Sequence, residues 1–195
     1  MKRSSTINRV TNETEISLSI DIDGEGSGKI SSGIPFFDHM LTLFAAHGFF
    51  DLNISAIGDI DVDFHHTVED TGIVLGTGLK NALGDRKGIK RFGHAVVPMD
   101  DALAHVTIDL SNRPYLVYNI PEIPYQGDKF DPSLAKEFFR AFAVTAGMNL
   151  HINVLYGENN HHIMESIFKA SGKALDQATS FDHRVKNVLS TKGAL

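Results

Sequence analysis

The stretch His65-His66-Thr67-Val68-Glu69 recurs in the same arrangement as His161-His162-Ile163-Met164-Glu165. Both copies have the pattern HHxxE, and both begin a run with helical periodicity. The residues before each copy match as well, because Leu52-Asn53-Ile54-Ser55 corresponds to Leu150-His151-Ile152-Asn153. Self-similarity at a constant offset is typical of a duplicated unit. The chain is therefore predicted to contain two copies of one α+β unit.

The spacing of apolar residues predicts strands and helices in a similar order in both copies. The boundary falls near residues 85–92 and divides the chain into units 1–88 and 89–195. Units of this size bury only marginal cores alone, so we expect them to pack as one body. The first copy predicts strands at 16–22 and 52–57 and helices at 39–46 and 68–83; the second predicts strands at 95–97, 104–110, 116–119 and 150–153, helices at 132–146 and 163–178, and a loop at 121–131.

Composition excludes several classes of protein. The 195 residues include 18 Lys and Arg and 24 Asp and Glu, giving a net charge of −6. This balance argues against nucleic-acid and membrane partners. No apolar run is long enough to span a bilayer, and the polar N-terminus is unlike a signal peptide, so we expect a cytoplasmic protein. The chain has no cysteine, which excludes disulfides and thiolate metal sites.

Ten histidines are present, and four of them form the two adjacent pairs. On a helix, the first His and the Glu of HHxxE lie on one face, whereas adjacent histidines diverge by about 100° and would serve different ions. His39 and Glu137 occupy matching positions before Leu52 and Leu150, and both can ligate metal. Nitrogen and oxygen donors without thiolate favour manganese, iron or zinc. The remaining isolated histidines are more typical of surface or core positions.

Several further motifs resemble one family. They are Phe37-Asp38-His39-Met40-Leu41, Pro98-Met99-Asp100, Arg113-Pro114-Tyr115 and Ser190-Thr191-Lys192-Gly193. Together with the two HHxxE motifs, they resemble the imidazoleglycerol-phosphate dehydratases of histidine biosynthesis from residue 9 to the C-terminus. The resemblance implies an α+β fold of two pseudo-repeats, each a four-stranded sheet packed on two helices, similar to domain 2 of ribosomal protein S5.

The resemblance also implies two Mn²⁺ ions per active site. It predicts self-association into a 24-mer built from trimers, with active sites between subunits. One plausible grouping of the ligands is His39, His66, His161 and Glu165 on one ion, and His65, Glu69, Glu137 and His162 on the other. Many family members have His in place of Glu137, and the family usually has Asp in place of Phe64.

The implied reaction removes water from D-erythro-imidazole-glycerol phosphate to form imidazole-acetol phosphate. The di-manganese site would bind the substrate as an imidazolate. Glu13 is the candidate acid and base, and both HHxxE motifs are assigned catalytic roles. The implied substrate-binding residues are Glu13, His39, His47, Arg91, Arg113, Lys169, Ser190, Thr191 and Lys192.

Two alternatives stay open at this point. A dinuclear phosphate-ester hydrolase would share the metals and the arginines. A metal-buffering shell protein would need no phosphate site.

Overall fold

Two four-stranded sheets form in the computed structural model, which describes residues 2–121 and 130–195. The first sheet has the order β1-β2-β4-β3 and the second has the order β5-β6-β8-β7, so the two copies share one topology. In each sheet the last two strands are parallel and the other pairs are antiparallel. The elements are β1 (Ser4–Val10), β2 (Thr14–Asp21), β3 (Ile30–Ser31), α1 (Pro35–Gly48), β4 (Asp51–Gly58), α2 (His65–Leu83), β5 (Phe92–Met99), β6 (Ala102–Asp109), β7 (Tyr115–Asn119), α3 (Ser133–Ala146), β8 (Asn149–Tyr156) and α4 (Asn160–Thr179).

The helices form a layer between the sheets. Helix α2 covers β1 and β2, and helix α4 covers β5 and β6, because the central strands turn alternate apolar side chains inward. Helices from different copies then pair, α1 with α4 and α2 with α3. Buried phenyl rings fill this layer, with Phe138 packed against Phe37, Phe142 and Phe168. The α+β class of two pseudo-repeats is confirmed.

Glycines set how the paired helices approach each other. A Cβ on Gly172 of α4 would lie 2.4 Å from the Phe44 carbonyl oxygen of α1. A Cβ on Gly76 of α2 would lie 2.7 Å from the Phe142 carbonyl oxygen of α3. Only hydrogen fits at these crossings. The helices run parallel within each pair, α1 with α4 and α2 with α3, so the first turns of paired helices lie at the same end of the molecule.

Helices α1, α2 and α4 begin three or four residues earlier than the periodicity predicts, whereas α3 begins at Ser133, one residue later. Pro35 opens α1, where its missing N–H costs nothing. The Asn159 side chain caps α4 by accepting from the backbone N–H groups of His161 and His162. Both histidine pairs therefore lie in the first turn of a helix. No helix among the described residues is long and apolar enough to cross a membrane.

Strands β1 and β3 carry no alternation strong enough to be predicted individually. Ile7 is the only large apolar residue in the interior of β1, an edge strand that pairs with β2 alone. Strand β3 has two residues. The predicted loop at 121–131 falls largely outside the described residues.

Candidate active site

The first two turns of α1 and of α4 bring together His39, His161 and Glu165. One ligand atom from each lies within 4.8 Å of the others. The Nε2 atoms of His39 and His161 are 3.1 and 2.9 Å from Glu165 Oε1. The two rings are exposed, whereas Glu165 is only 7% exposed. This arrangement includes three of the four residues predicted for the first ion.

Glu165 also binds Lys169, which is one turn later on α4. The Lys169 ammonium donates to Oε2 of Glu165 at 2.6 Å. Burial would raise the pKa of Glu165, but hydrogen bonds from Lys169, His39 and His161 lower it to about 2. Lys169, predicted as a substrate contact, therefore also stabilises the carboxylate of this cluster. His47, two turns after His39 on α1, is half-buried. Burial makes the largest contribution to lowering the pKa of His47, and the charges of Lys169 and Lys173 lower it further.

The other helix pair partly repeats this arrangement. His65 Nε2 lies 3.4 Å from Glu69 Oε2, one turn later on α2. Glu137 on α3 forms an ion pair with Arg140 instead. The cluster of His39, His161 and Glu165 is the only group of three or more potential ligands that converges among the described residues. The second predicted ligand set is not assembled within one chain.

The second histidine of each pair points to a hairpin turn or a loop. His66 Nδ1 donates to Asp59, which follows β4, at 3.0 Å, and His66 Nε2 lies 3.8 Å from Glu13 Oε1. His162 Nδ1 donates to Asp101 at 2.5 Å, and His162 Nε2 lies 3.5 Å from Asp100. The two histidines of each pair therefore face different partners, and their ring planes differ by 86° and 87°.

Sequence reasoning did not assign Asp59 or Asp101. Both lie in turns, where no periodicity marks them, and only the motif that ends at Asp100 pointed to this region. The hydrogen bond that His66 donates to Asp59 raises the pKa of His66, and the one that His162 donates to Asp101 raises the pKa of His162. The family usually has Asp at the position of Phe64, which here packs against the core. Asp59 supplies a carboxylate beside the first histidine pair instead.

The donor set fits a divalent cation. Two imidazole nitrogens and one buried carboxylate oxygen already lie close together, and no thiolate is available to favour a softer metal. A carboxylate on Nδ1 of a histidine leaves Nε2 as the ligand atom, a common arrangement around metal-bound imidazoles. Manganese is therefore compatible with the residues present.

A separate cavity of about 650 Å³ lies under the C-terminal tail. Arg91 is fixed there by Asp109, with Nε 2.6 Å from Oδ1, and donates to the Leu189 carbonyl at 2.6 Å. Among the described residues, no carboxylate lines the cavity, so it suits a phosphate. Arg184 and Lys186 are additional cations that sequence reasoning missed. The lining residues include Arg91, Arg113, Arg184, Lys186, Ser190, Thr191 and Lys192.

The cationic cavity and the histidine cluster lie at opposite ends of α4. Arg91 donates its backbone N–H to Ala178 in the last turn, whereas His161 is in the first. At 1.5 Å per residue, His161 and Ala178 are about 25 Å apart. A small substrate cannot reach both places in one chain.

Relatives of the chain identify the family. A sequence model described as imidazoleglycerol-phosphate dehydratase matches residues 32–175. The chain belongs to the imidazoleglycerol-phosphate dehydratase family. The imidazoleglycerol-phosphate dehydratase of Desulfosudis oleivorans is 64% identical over 195 residues, and that of Geobacter sulfurreducens is 57% identical, each with full coverage of both chains.

Crystal structures of imidazoleglycerol-phosphate dehydratases have the same fold. The enzyme from Staphylococcus aureus gives a TM-score of 0.83 at 38% identity, covering 92% of this chain and 99% of that one. The enzyme from Pyrococcus furiosus gives 0.83 at 42% identity, covering 97% and 100%. The predicted family and the assignment of the chain as a dehydratase are confirmed.

Proposed function

We propose that this dehydratase converts D-erythro-imidazole-glycerol phosphate into imidazole-acetol phosphate and water, in histidine biosynthesis, with two Mn²⁺ ions per active site. The observation that carries the proposal is the convergence of His39, His161 and Glu165 at the start of two paired helices. The predicted cytoplasmic location, and the predicted lack of nucleic-acid and membrane partners, stay predictions from charge and composition.

The metal ligands would be divided between copies of the chain. His39, His161 and Glu165 would hold one ion, with His66 supplied by a second copy. His65, Glu69 and Glu137 would hold the other, with His162 supplied in the same way. Bound Mn²⁺ supplies Lewis acidity, which favours loss of the ring proton of a coordinated imidazole.

Glu13 would transfer the protons of the reaction. Its carboxylate is half-exposed and lies beside His66, so it can reach a substrate placed there. Protonated Glu13 gives its proton to the hydroxyl on the carbon next to the ring, and that hydroxyl leaves as water. The resulting carboxylate takes the proton from the neighbouring carbon, which restores protonated Glu13, and the enol becomes the ketone by moving its hydroxyl proton to carbon. The ring proton that was lost passes to solvent and would be regained from it when the product leaves.

The cationic cavity would bind the phosphate. Arg113 is the least restrained of its arginines, with 63% of its side chain exposed and Asp109 4.0 Å away. Arg91, Ser190, Thr191 and Lys192 also line the cavity, whereas Lys169, predicted in the same group, lies beside Glu165 at the histidine cluster. Because this cavity and the histidine cluster lie about 25 Å apart along α4, the active site requires more than one chain. This separation supports active sites shared between subunits, whereas the 24-mer built from trimers stays a prediction from the family resemblance.

An assay for two products tests the proposal. Purified protein supplied with Mn²⁺ and D-erythro-imidazole-glycerol phosphate is expected to form the ketone without releasing inorganic phosphate. Release of phosphate without ketone would favour the dinuclear hydrolase instead. Arg113→Ala is expected to raise KM for the substrate and leave the manganese content unchanged. A metal-buffering protein would show no such dependence on Arg113.

A further inference from the structure

Asp70 is a buried carboxylate that the proposed reaction does not use. It directly follows Glu69 on α2 and is only 8% exposed. The Thr14 hydroxyl donates to Asp70 Oδ2 at 2.5 Å, and the Arg9 guanidinium donates to Oδ1 at 3.0 Å. Both donors belong to the hairpin of β1 and β2. One carboxylate therefore ties this hairpin to the helix that begins with the first histidine pair.

The residues between β1 and β2 form a turn that presents Glu13. The Thr11 hydroxyl oxygen accepts from the backbone N–H groups of Glu13 and Thr14 at 3.1 and 3.0 Å. The Glu13 carbonyl accepts from the backbone N–H of Asp59 at 3.1 Å. The Glu13 backbone is therefore fixed, and only its side chain is free to approach His66.

The described part of the second copy has no buried carboxylate that links its first hairpin to its histidine-pair helix. Its hairpin between β5 and β6 turns through Asp100 and Asp101, which reach His162 directly. The position that corresponds to Asp70 is Ser166, whose hydroxyl donates to the Ile163 carbonyl of its own helix. The buried carboxylate thus occurs in the copy whose turn is longer and carries Glu13.

We propose that Asp70 is a positioning residue that holds the Glu13 turn beside the first histidine pair. This inference rests on the proposed function, in which Glu13 transfers protons. Buried hydrogen bonds to a charged group are strong and directional, so they can fix a turn that surface contacts alone would leave loose. Misplacing a catalytic group lowers turnover more than substrate binding.

A double-mutant cycle between Asp70 and Glu13 tests the proposal. In the assembled, manganese-supplied enzyme, Asp70→Asn is expected to lower kcat about tenfold or more and change KM by less than about threefold. In the Glu13→Gln background, the same substitution is expected to change kcat by less than about twofold, because there is no proton-transfer group left to misplace. A purely structural role would give the same loss in both backgrounds.

A second pair of variants avoids dependence on Asp70 itself. Thr14→Val removes the hydroxyl donor and is expected to reproduce the loss in kcat, whereas Thr14→Ser keeps the donor and is expected to restore most of it. Asp51→Asn is the control, because Asp51 accepts three hydrogen bonds in a different turn, from the backbone of Glu25 and from the backbone and hydroxyl of Ser27. It is expected to leave kcat unchanged.

Two measurements separate this proposal from the proposed function. Manganese content of Asp70→Asn is expected to equal that of the wild-type enzyme, and amide exchange in residues 9–15 is expected to increase. Equal losses in kcat with and without Glu13, or unchanged amide exchange in Asp70→Asn, would overturn the positioning role. Wild-type protein that forms no ketone would refute the proposed function, while the exchange measurement would still decide whether Asp70 holds the turn.

Discussion

Carboxylates select which nitrogen of a histidine is available to a ligand. An ionised carboxylate only accepts hydrogen bonds, so Nδ1 of His66 and of His162 must carry the proton that faces Asp59 or Asp101. Their Nε2 atoms are then unprotonated in the neutral ring and can bind a cation. Asp101 also accepts from the backbone N–H groups of Glu158 and Asn159, which fixes it in place.

Removing these carboxylates should weaken metal binding. We expect Asp59→Ala and Asp101→Ala each to lower the affinity for Mn²⁺ about 10- to 100-fold, because the imidazoles lose their orienting partners. Titration against a competing chelator measures the effect. Asp85→Ala is a suitable control, since the partners of Asp85 among the described residues are the ammonium and the backbone N–H of the exposed Lys87. Affinities equal to wild type in both variants would contradict the orienting role.

Residue types were easier to predict than their partners. The repeated HHxxE pattern and the matching positions of His39 and Glu137 predicted two metal sites, and three residues of the first, His39, His161 and Glu165, do converge. Helical spacing pairs His161 with Glu165 locally, but the contact between His39 and Glu165 depends on how α1 packs against α4. Asp59, Asp101 and Asp70 could not be found because no periodic signal links a turn to a distant helix.

Asp51 gives a pH-dependent contribution to stability. Backbone N–H groups of Glu25 and Ser27, together with the Ser27 hydroxyl, lower the pKa of Asp51. A lowered pKa in the folded state adds stability that is present above the unfolded value of about 3.9 and is lost as pH falls through the folded value. We expect Asp51→Asn to lower the urea midpoint at pH 7, with the difference from wild type narrowing below about pH 4. A difference independent of pH would contradict this.

At the scale of elements, glycine determines how closely the helices pair. Glycine weakens a helix by about 1 kcal/mol relative to alanine, so Gly72, Gly76 and Gly172 look unfavourable in sequence. The structure gives the reason, since a Cβ at each would meet the backbone of the paired helix. The sequence predicted these helices from apolar periodicity, but it gave no sign of which helices cross.

Alanine at the crossings should destabilise the protein. We expect Gly76→Ala and Gly172→Ala each to lower the free energy of unfolding by about 1–3 kcal/mol, because overpacking exceeds the gain in helix propensity. Gly78→Ala is the matched control on α2, where a Cβ meets only the side-chain ends of Leu18, Ile20 and Ile7. Thermal or urea unfolding measures the order of stability of the three variants. A Gly78→Ala variant less stable than Gly76→Ala would contradict the explanation.

At the scale of the whole molecule, the two candidate parts of the active site are separated. The histidine pairs lie at the start of the long helices, and the cationic cavity lies near the end of α4. Topology and family could be predicted from sequence. The separation could not, because it depends on the direction of α4 relative to the C-terminal tail.

Mixed assemblies should restore activity lost by separate variants. We expect His161→Ala, which removes a metal ligand, and Arg113→Ala, which removes a phosphate contact, each to be nearly inactive at low substrate concentration. Co-assembly in equal amounts should recover up to about a quarter of the active sites, because some sites combine two intact contributions from different chains. Activity no greater than the sum of the separate variants would show that one chain supplies both parts.

Removal of metal should affect assembly as well as turnover. Because the proposed ligand sets draw on more than one chain, we expect a chelator to abolish activity and reduce the particle mass, and Mn²⁺ to restore both. Sedimentation velocity measures the mass and the dehydratase assay measures the activity. A metal-free sample that remains fully assembled and active would contradict the shared-ligand proposal.

The exchange of helix partners between the two copies also constrains how the chain folds during synthesis. When the first half leaves the ribosome, α1 and α2 present apolar faces whose partners, α4 and α3, have not yet been translated. The apolar faces of the nascent half therefore stay exposed to proteases and chaperones until α3 and the part of α4 up to Gly172 have emerged. If the two halves were expressed as separate fragments, each would need the other present to cover the apolar faces of its helices.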